Sequence, residues 1–105
     1  NAVFSSPANM AKKFSKAGAD ALVLFDRAVC VDIDLENLNS THSIKRTTSD
    51  DISESLRWSA ILYDNVDCSI AISTGVRDYQ DILKAMMSGA DAVEMVGAVL
   101  DNGEK

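Results

Sequence analysis

The segment KAGADALVL at residues 16–24 recurs as MSGADAVEM at residues 87–95, and this repeat indicates how helices and strands alternate along the chain. Each copy reads as the end of a helix, a glycine stop, Ala-Asp and a short apolar run. Gly18 and Gly89 stand where the end of a helix favours a positive φ, and the run after each is typical of a strand. The two glycines are 71 residues apart, which is about three βα units of roughly 24 residues. The repeat therefore predicts helices alternating with strands, and a parallel sheet.

A first helix and strand surround the earlier copy of the repeat. Ser6 is the predicted N-cap, and Pro7 occupies the first helical position, where its missing N–H is not needed. Residues 21–25 form an unbroken apolar run, which favours a strand covered on both faces. Residues 26–41 are polar and predict a long loop. Residues 42–47 predict a weak second strand.

The later part of the chain predicts two further units. A helix capped by Asp50 or Asp51 leads to a third strand at residues 68–73. A helix that begins at Asp78 leads to a fourth strand at residues 92–96. The order αβ-αβ-αβ-αβ, with no closing helix, predicts an α/β fold with four parallel strands. We therefore expect one domain over residues 1–105, the C-terminal half of a (βα)8 TIM barrel.

The composition is that of a globular protein, and it disfavours two classes of partner. Hydrophobic residues make up 47% of the chain, but the apolar runs are far too short to span a bilayer. The net charge of −6, from 16 acidic and 10 basic residues, disfavours nucleic-acid binding. Cys30 and Cys68 lack CxxC spacing, so we expect reduced thiols in a cytoplasmic protein. No secretory leader is visible, although Asn1 is not expected to be the native start.

A candidate anion site follows the last two predicted strands. Ser-Thr-Gly-Val at residues 73–76 and Val-Gly-Ala-Val at residues 96–99 each place a glycine just past a strand. Gly75 and Gly97 are 22 residues apart and so belong to neighbouring strands, and barrel enzymes often bind phosphate on the loops after strands seven and eight. Glycine lets the backbone approach a ligand, and successive N–H groups form an anion-binding concavity. A plain βα turn explains either glycine alone, whereas the pair favours a phosphate site.

Six segments stand in an order that is typical of one protein family. They are FSSPANMAKK (4–13), AGADALVLFDR (17–27), DIDLE (32–36), LRWSAILY (56–63), STGV (73–76) and MVGAVL (95–100). Together they resemble the C-terminal half of dihydroorotate dehydrogenase-like flavoproteins. The resemblance covers nearly the whole chain and is weakest over residues 37–49. The DIDLE and LRW pieces are the more specific, because Gly-Ala-Asp recurs in many barrels.

The resemblance implies an FMN-binding (βα)8 barrel, an oxidoreductase of pyrimidine metabolism that oxidises dihydropyrimidines or related substrates. The flavin phosphate would rest on backbone N–H groups after the last two strands, around Thr74, Gly75, Val76, Gly97 and Ala98. Thr47 and Thr48 match a Ser-Thr pair that lies near the flavin in the family. Asp26 stands where the family has an asparagine that contacts the ring or the substrate.

Two departures from the family pattern bear on activity. Asp26, as a carboxylate, cannot donate a hydrogen bond to a pyrimidine carbonyl, and Thr74 replaces the first glycine of the usual Thr-Gly-Gly. The family's flavin-contacting lysine and its active-site base match no position of this chain and would lie upstream of Asn1. We therefore expect no turnover from residues 1–105 alone, and no catalytic residue is assigned within them.

Two other functions stay open on the residues alone. One is a non-catalytic half-barrel that associates with itself or with another half-barrel, since open strand edges and an apolar face favour association. The other is part of a sugar-phosphate-binding barrel lyase or isomerase, which would share the two glycine turns but not the DIDLE and LRW segments. Because the four strands do not close into a barrel, we expect an oligomer or association with the missing half-barrel.

Overall fold

The computed structural model describes residues 4–26, 30–43 and 47–103, and it has an α/β fold. Its elements, in chain order, are helix α1 (Pro7–Lys16), strands β1 (Ala21–Leu24), β2 (Cys30–Asp34) and β3 (Asn39–Ser43), a 3-10 turn (Ser49–Asp51), helix α2 (Ile52–Leu62), strand β4 (Ser69–Ile72), helix α3 (Tyr79–Met87), strand β5 (Ala92–Val93) and helix α4 (Gly97–Asn102).

The two glycine stops predicted from the repeat are confirmed. Gly18 follows α1 with a φ of 101°, and Gly89 follows α3 with a φ of 100°. Glycine adopts this conformation without the steric penalty that a Cβ would bring. The aspartate of the later copy has a further use, because the Asp91 carboxylate accepts the N–H of Ile70 at 2.9 Å and so ties the start of β5 to β4. Ser6 is the N-cap of α1 and Pro7 its first residue, as predicted.

Three strands form a parallel sheet in the order β1-β4-β5. Leu24 of β1 is in register with Ile72 of β4, which is in register with Val93 of β5. The helices pack on one face of this sheet and create two adjoining core clusters. The first cluster comprises Ala11, Leu24, Phe25, Leu62 and Ile70, and the second comprises Ile52, Ile72, Val76, Ala85 and Ala90.

The other face of the sheet is open. Side chains alternate between the two faces along a strand, and Val23, which is in register with Ala71, is 51% exposed. Ala21, Ser69 and Ala92 are exposed as well. The apolar run at residues 21–25 favours a strand covered on both faces, and that expectation is corrected: among the described residues, helices cover one face of the sheet only. A sheet of this kind is what a segment of a barrel presents, because its inner face is filled by the remaining strands' side chains.

The edges of the sheet are open too. Within the described ranges, β1 and β5 each pair with one strand only. Beside the free edge of β1, an apolar groove is lined by side chains of the N-terminal segment, α1 and β1, among them Phe4, Met10, Phe14 and Val23. The groove and the unpaired edge together leave apolar surface uncovered.

The predicted long loop over residues 26–41 is wrong in part, because it contains an antiparallel hairpin. β2 and β3 pair from Cys30 opposite Ser43 to Asp34 opposite Asn39. The cause is the alternation of Val31 and Ile33 with polar residues, which is the period of a strand. The Asp34 carboxylate stabilises the turn, because it accepts hydrogen bonds from the N–H groups of Glu36 at 2.9 Å and of Asn37 at 3.2 Å.

The strand predicted over residues 42–47 is not found as a fourth parallel strand. His42 and Ser43 belong to β3, Thr47 precedes the 3-10 turn, and residues 44–46 lie outside the described residues. Since β1 pairs directly with β4, no strand lies between them. The parallel α/β fold is thus confirmed, with three parallel strands in the described residues rather than four.

Two local predictions near helix ends have different outcomes, since one is wrong and the other is confirmed with a detail added. The chain after β5 forms α4, although no closing helix was expected; the segment 97–102 lacks proline and ends at Gly103, which has a φ of 70°. The helical segment before β4 begins with the 3-10 turn, whose N-cap is Thr48. Asp51 is the N-cap residue of α2, as predicted, but its side chain makes no capping hydrogen bond to α2 and instead completes a capping box with Thr48.

Candidate functional site

Three chain segments meet at the carboxyl end of the parallel sheet. β4 and β5 are neighbours and parallel, so the turns after them lie at the same end, as the spacing of Gly75 and Gly97 predicted. The segment after β1 joins them through its backbone: the Phe25 carbonyl accepts hydrogen bonds from the hydroxyls of Ser73 (3.3 Å) and Thr74. Asp26, exposed, follows directly. This end of the sheet is where barrel enzymes carry their sites.

The loop after β4 presents backbone donors. Ser73 donates its N–H to the Leu24 carbonyl at 2.8 Å. The N–H groups of the next three residues, Thr74, Gly75 and Val76, meet no acceptor in the described part of the chain. The side chain of Val76 is buried in the second core cluster, which anchors the loop. Three successive N–H groups without an internal acceptor can receive an anion.

Position 75 requires glycine for a different reason from the predicted approach of a ligand to the backbone. Its φ is +80°, and a Cβ there would lie 2.4 Å from the backbone nitrogen of Ile52 and 2.8 Å from the carbonyl carbon of Asp51. The space that its missing side chain leaves is therefore occupied by the start of α2, not reserved for a ligand. Replacing Gly75 by valine would disturb packing before it disturbed binding.

Asp81 locks the same loop to the start of α2. Its side chain is 1% exposed, yet its carboxylate accepts three hydrogen bonds, from Ser49 Oγ at 2.7 Å, from the Arg77 N–H at 3.0 Å and from Lys84 Nζ at 3.2 Å. Burial raises the pKa of Asp81, but these hydrogen bonds and the Lys84 charge outweigh burial, so the pKa lies below 3.8. The buried carboxylate is ionised and fixes the path of residues 73–77.

Asp81→Asn is expected to lower the free energy of unfolding by about 1–3 kcal/mol at pH 7. The reason is that the NH2 group of the asparagine side chain would lie against groups that donate hydrogen bonds to Asp81 in the wild type. A folded-state pKa below the unfolded value stabilises the protein above pH 3.8, and this stabilisation is lost as the pH falls through the folded value. Urea unfolding at pH 7 and pH 3 should therefore show a smaller difference between wild type and variant at pH 3.

The matched control for this substitution is Asp67→Asn, at an exposed aspartate. It should change the free energy of unfolding by less than about 0.5 kcal/mol. Equal losses in the two variants would mean that the hydrogen bonds of Asp81 do not stabilise the loop.

Arg77 brings a guanidinium into this region. Its Nη2 pairs with Asp101 Oδ2 of α4 at 2.5 Å. Its Nη1 is buried and has no hydrogen-bond partner in the described residues. A Cβ built on Gly97 would lie 2.6 Å from Nη1 and 3.8 Å from Thr47 Oγ1. Gly97, Thr47 and Arg77 therefore converge on one spot beside the loop after β4.

The other predicted site residues are placed as follows. Thr48 is half of the capping box: its N–H and hydroxyl both bond Asp51 Oδ2, at 2.7 and 3.3 Å, so its hydroxyl already has a partner. Ala98 is buried in the first turn of α4. Thr47 lies near Gly97. Arg77 was missed, and the signal that could have found it is a cation directly after a glycine turn at a strand end.

Other residues with possible chemistry lie apart from this region. Cys30 is an exposed free thiol on the hairpin and Cys68 a half-buried free thiol before β4. Within the described ranges, no group of three His, Cys, Asp or Glu side chains is placed so that it could hold a metal ion. In the same ranges, no helix has the length and apolar character needed to cross a membrane.

The comparisons with known proteins support the fold. No family model and no curated protein matches the sequence. Among solved structures, the chain is similar to DHODH (dihydroorotate dehydrogenase) from Eimeria tenella, determined in complex with ferulenol, with a TM-score of 0.67 at 19% identity. The match covers 89% of this chain and 25% of that chain, so this chain spans about a quarter of the length of the structure it matches. The chain thus has a DHODH-like fold, that of part of a TIM barrel.

Proposed function

We propose that this chain is part of an FMN-dependent, dihydroorotate dehydrogenase-like oxidoreductase and supplies the phosphate-binding end of its flavin site. One observation carries the proposal: at the carboxyl end of the sheet, the loop after β4 holds several donors that meet no acceptor among the described residues. They are the N–H groups of residues 74–76 and the buried Nη1 of Arg77. Donors that lack partners fit an anionic group such as a phosphate.

Different residues would bind the flavin phosphate, support the loop and lie near the flavin ring. Thr74, Gly75 and Val76 would bind the phosphate through their N–H groups, with Gly97, Ala98 and Thr47 beside it. Asp81 and the buried Val76 side chain would keep the loop in shape. When bound, FMN would supply the redox chemistry. Asp26, next to the Phe25 carbonyl that joins the strand ends, would lie toward the ring and substrate.

The charge of Asp26 bears on the substrate. An ionised carboxylate accepts hydrogen bonds but donates none. Beside the ring it would favour a substrate that presents N–H or O–H groups, and it would disfavour negative charge on a reduced flavin. The residues that complete the reaction, a cation near the ring and a base, would come from a part of the protein outside this chain.

The first test is the visible absorbance of the full-length protein that contains this sequence. We expect the purified protein to carry oxidised flavin, identified as FMN after denaturation, and to lose that absorbance when dihydroorotate is added without oxygen. A protein that is colourless and takes up no FMN would contradict the proposal. Residues 1–105 alone, mixed with FMN, dihydroorotate and a dye acceptor, should give no turnover above that of free flavin.

One observation favours a second function, that of a half-barrel that associates with a partner. The open sheet face, the unpaired β1 edge and the groove lined by Phe4 and Phe14 are apolar surfaces of the kind that mark association sites. The two functions are compatible, because a partner half-barrel would supply the strands that complete the flavin site.

A further inference from the structure

The two ends of the Arg77 guanidinium differ in their environment. Nη2 donates to Asp101 at 2.5 Å, and both side chains are 24% exposed, so this end reaches solvent. Nη1 has almost no contact with solvent and no hydrogen-bond partner among the residues that the structure describes. Buried polar groups in proteins are nearly always hydrogen-bonded, and a buried cationic donor without an acceptor is costly. An unpaired Nη1 therefore calls for an acceptor that the described residues do not provide.

The surroundings of Nη1 indicate where that acceptor lies. Nη1 is next to Gly97, at the end of the segment after β5, and Thr47 Oγ1 lies on the same side of Gly97. The backbone of Arg77 continues the loop whose N–H groups at 74–76 meet no acceptor in the ranges that the structure describes. Nη1 and these N–H groups thus belong to one continuous loop after β4, and Nη1 lies where this loop meets the start of α4.

We propose that Arg77 is an anion-binding residue whose Nη1 donates a hydrogen bond to an oxygen of the phosphate bound at this end of the sheet. This rests on the proposed function and adds a side-chain cation to a cradle that would otherwise consist of backbone donors. Guanidinium–phosphate hydrogen bonds are charge-assisted and stronger than those between neutral groups. Asp101 is the positioning residue: its bond to Nη2 fixes the guanidinium plane so that Nη1 stays directed inward.

The proposal also accounts for glycine at position 97. A side chain there would place its Cβ 2.6 Å from Nη1, closer than atoms of this kind approach. Glycine leaves the guanidinium room to lie against the backbone. Gly97 and Arg77 thus form a matched pair, in which the absence of one side chain makes room for the other.

The test compares two ligands that differ only in the phosphate, FMN and riboflavin, on the full-length protein after removal of bound flavin. Dissociation constants come from the quenching of flavin fluorescence. In Arg77→Met, the affinity for FMN should fall about tenfold or more, which is typical of the loss of a charged hydrogen bond. The affinity for riboflavin should change less than about twofold, because riboflavin lacks the phosphate. Arg77→Lys, which keeps the charge but not the fork, should lie between wild type and Arg77→Met.

A matched control removes a positive charge elsewhere. Arg57 lies over the Trp58 ring, 5.5 Å from its centroid, and is exposed on α2. Arg57→Met should leave the affinities for both flavins within about twofold of wild type, since exposed charges at a distance are screened. If Arg77→Met does not fold, Gly97→Ala replaces it, because the new Cβ displaces Nη1 while Arg77 remains. Gly97→Ala should show the same selective loss of FMN affinity.

The outcomes separate this inference from the proposed function. If Arg77→Met binds FMN as tightly as the wild-type protein does, the role of Arg77 is overturned and the proposed function still stands. Wild-type protein that binds neither flavin would overturn the proposed function. In that case inorganic phosphate is the probe: calorimetric binding that Arg77→Met abolishes would support Arg77 as an anion-binding residue, and no binding would overturn that role too.

Discussion

Gly75→Ala should lower the free energy of unfolding by about 2–5 kcal/mol, enough to unfold a marginally stable domain. Two effects add. An alanine would have to adopt the left-handed φ of +80°, and its Cβ would lie 2.4 Å from the Ile52 nitrogen. That neighbour is the backbone of α2, which cannot move aside as a flexible side chain can. Urea unfolding followed by circular dichroism measures the loss.

Gly18→Ala is the matched control for this substitution. Gly18 has a φ of +101°, but a Cβ there would meet no atom within 4 Å. Gly18→Ala should therefore lower the free energy of unfolding only by the cost of the left-handed backbone conformation, about 1–2 kcal/mol. If Gly75→Ala proves no worse than Gly18→Ala, the contact with α2 is not as close as the structure shows.

The chain of residues 1–105, prepared alone, is expected to self-associate. Val23 is 51% exposed on the open face of the sheet, and β1 has an unpaired edge beside the groove that Phe4 and Phe14 line. An edge with free N–H and C=O groups next to apolar side chains is a template for pairing with another chain. Light scattering in dilute neutral buffer should give a mass of at least two chains, and a cooperative monomer would contradict this expectation.

Val23→Lys tests where the association occurs. A lysine on an edge strand opposes pairing and covers apolar surface, so this variant should shift the scattering mass toward that of a monomer. Val31→Lys is the control, because Val31 is also exposed, at 65%, but lies on the hairpin. Association that only Val31→Lys abolishes would place the contact on the hairpin instead.

The parallel sheet and its glycine stops were predictable because local signals determine them. Gly18 and Gly89 each follow a helix, and the strand after each is a short apolar run, so the nearest neighbours in sequence are sufficient. The hairpin was missed although its signal is also local: Val31 and Ile33 alternate with acidic residues, and the acidic residues drew the interpretation toward a solvated loop. Both valine and isoleucine are in fact exposed, so burial could not have revealed the strand.

The site was predictable only in its backbone. The adjacency of Gly75 and Gly97 follows from their spacing, because neighbouring strands of a parallel sheet end at the same side. Arg77 has a local signal, a cation after a glycine turn, but its contacts could not be predicted, since its partner Asp101 is 24 residues further along the chain and its proximity to Gly97 depends on tertiary packing. The packing of Gly75 against the start of α2 arises in the same way, from a contact that no sequence window contains.

The bond between Ser49 and Asp81 has a consequence for how a ligand could be bound. Together with the Arg77 N–H, it joins the start of α2, the loop after β4 and the start of α3 into one body. Such a loop cannot swing over a ligand as a lid without carrying a helix with it. Its donors are held in place before any ligand arrives, so little conformational entropy is lost when one does. Discrimination between ligands would therefore come from shape and charge that already exist, and any gating would have to arise elsewhere in the barrel.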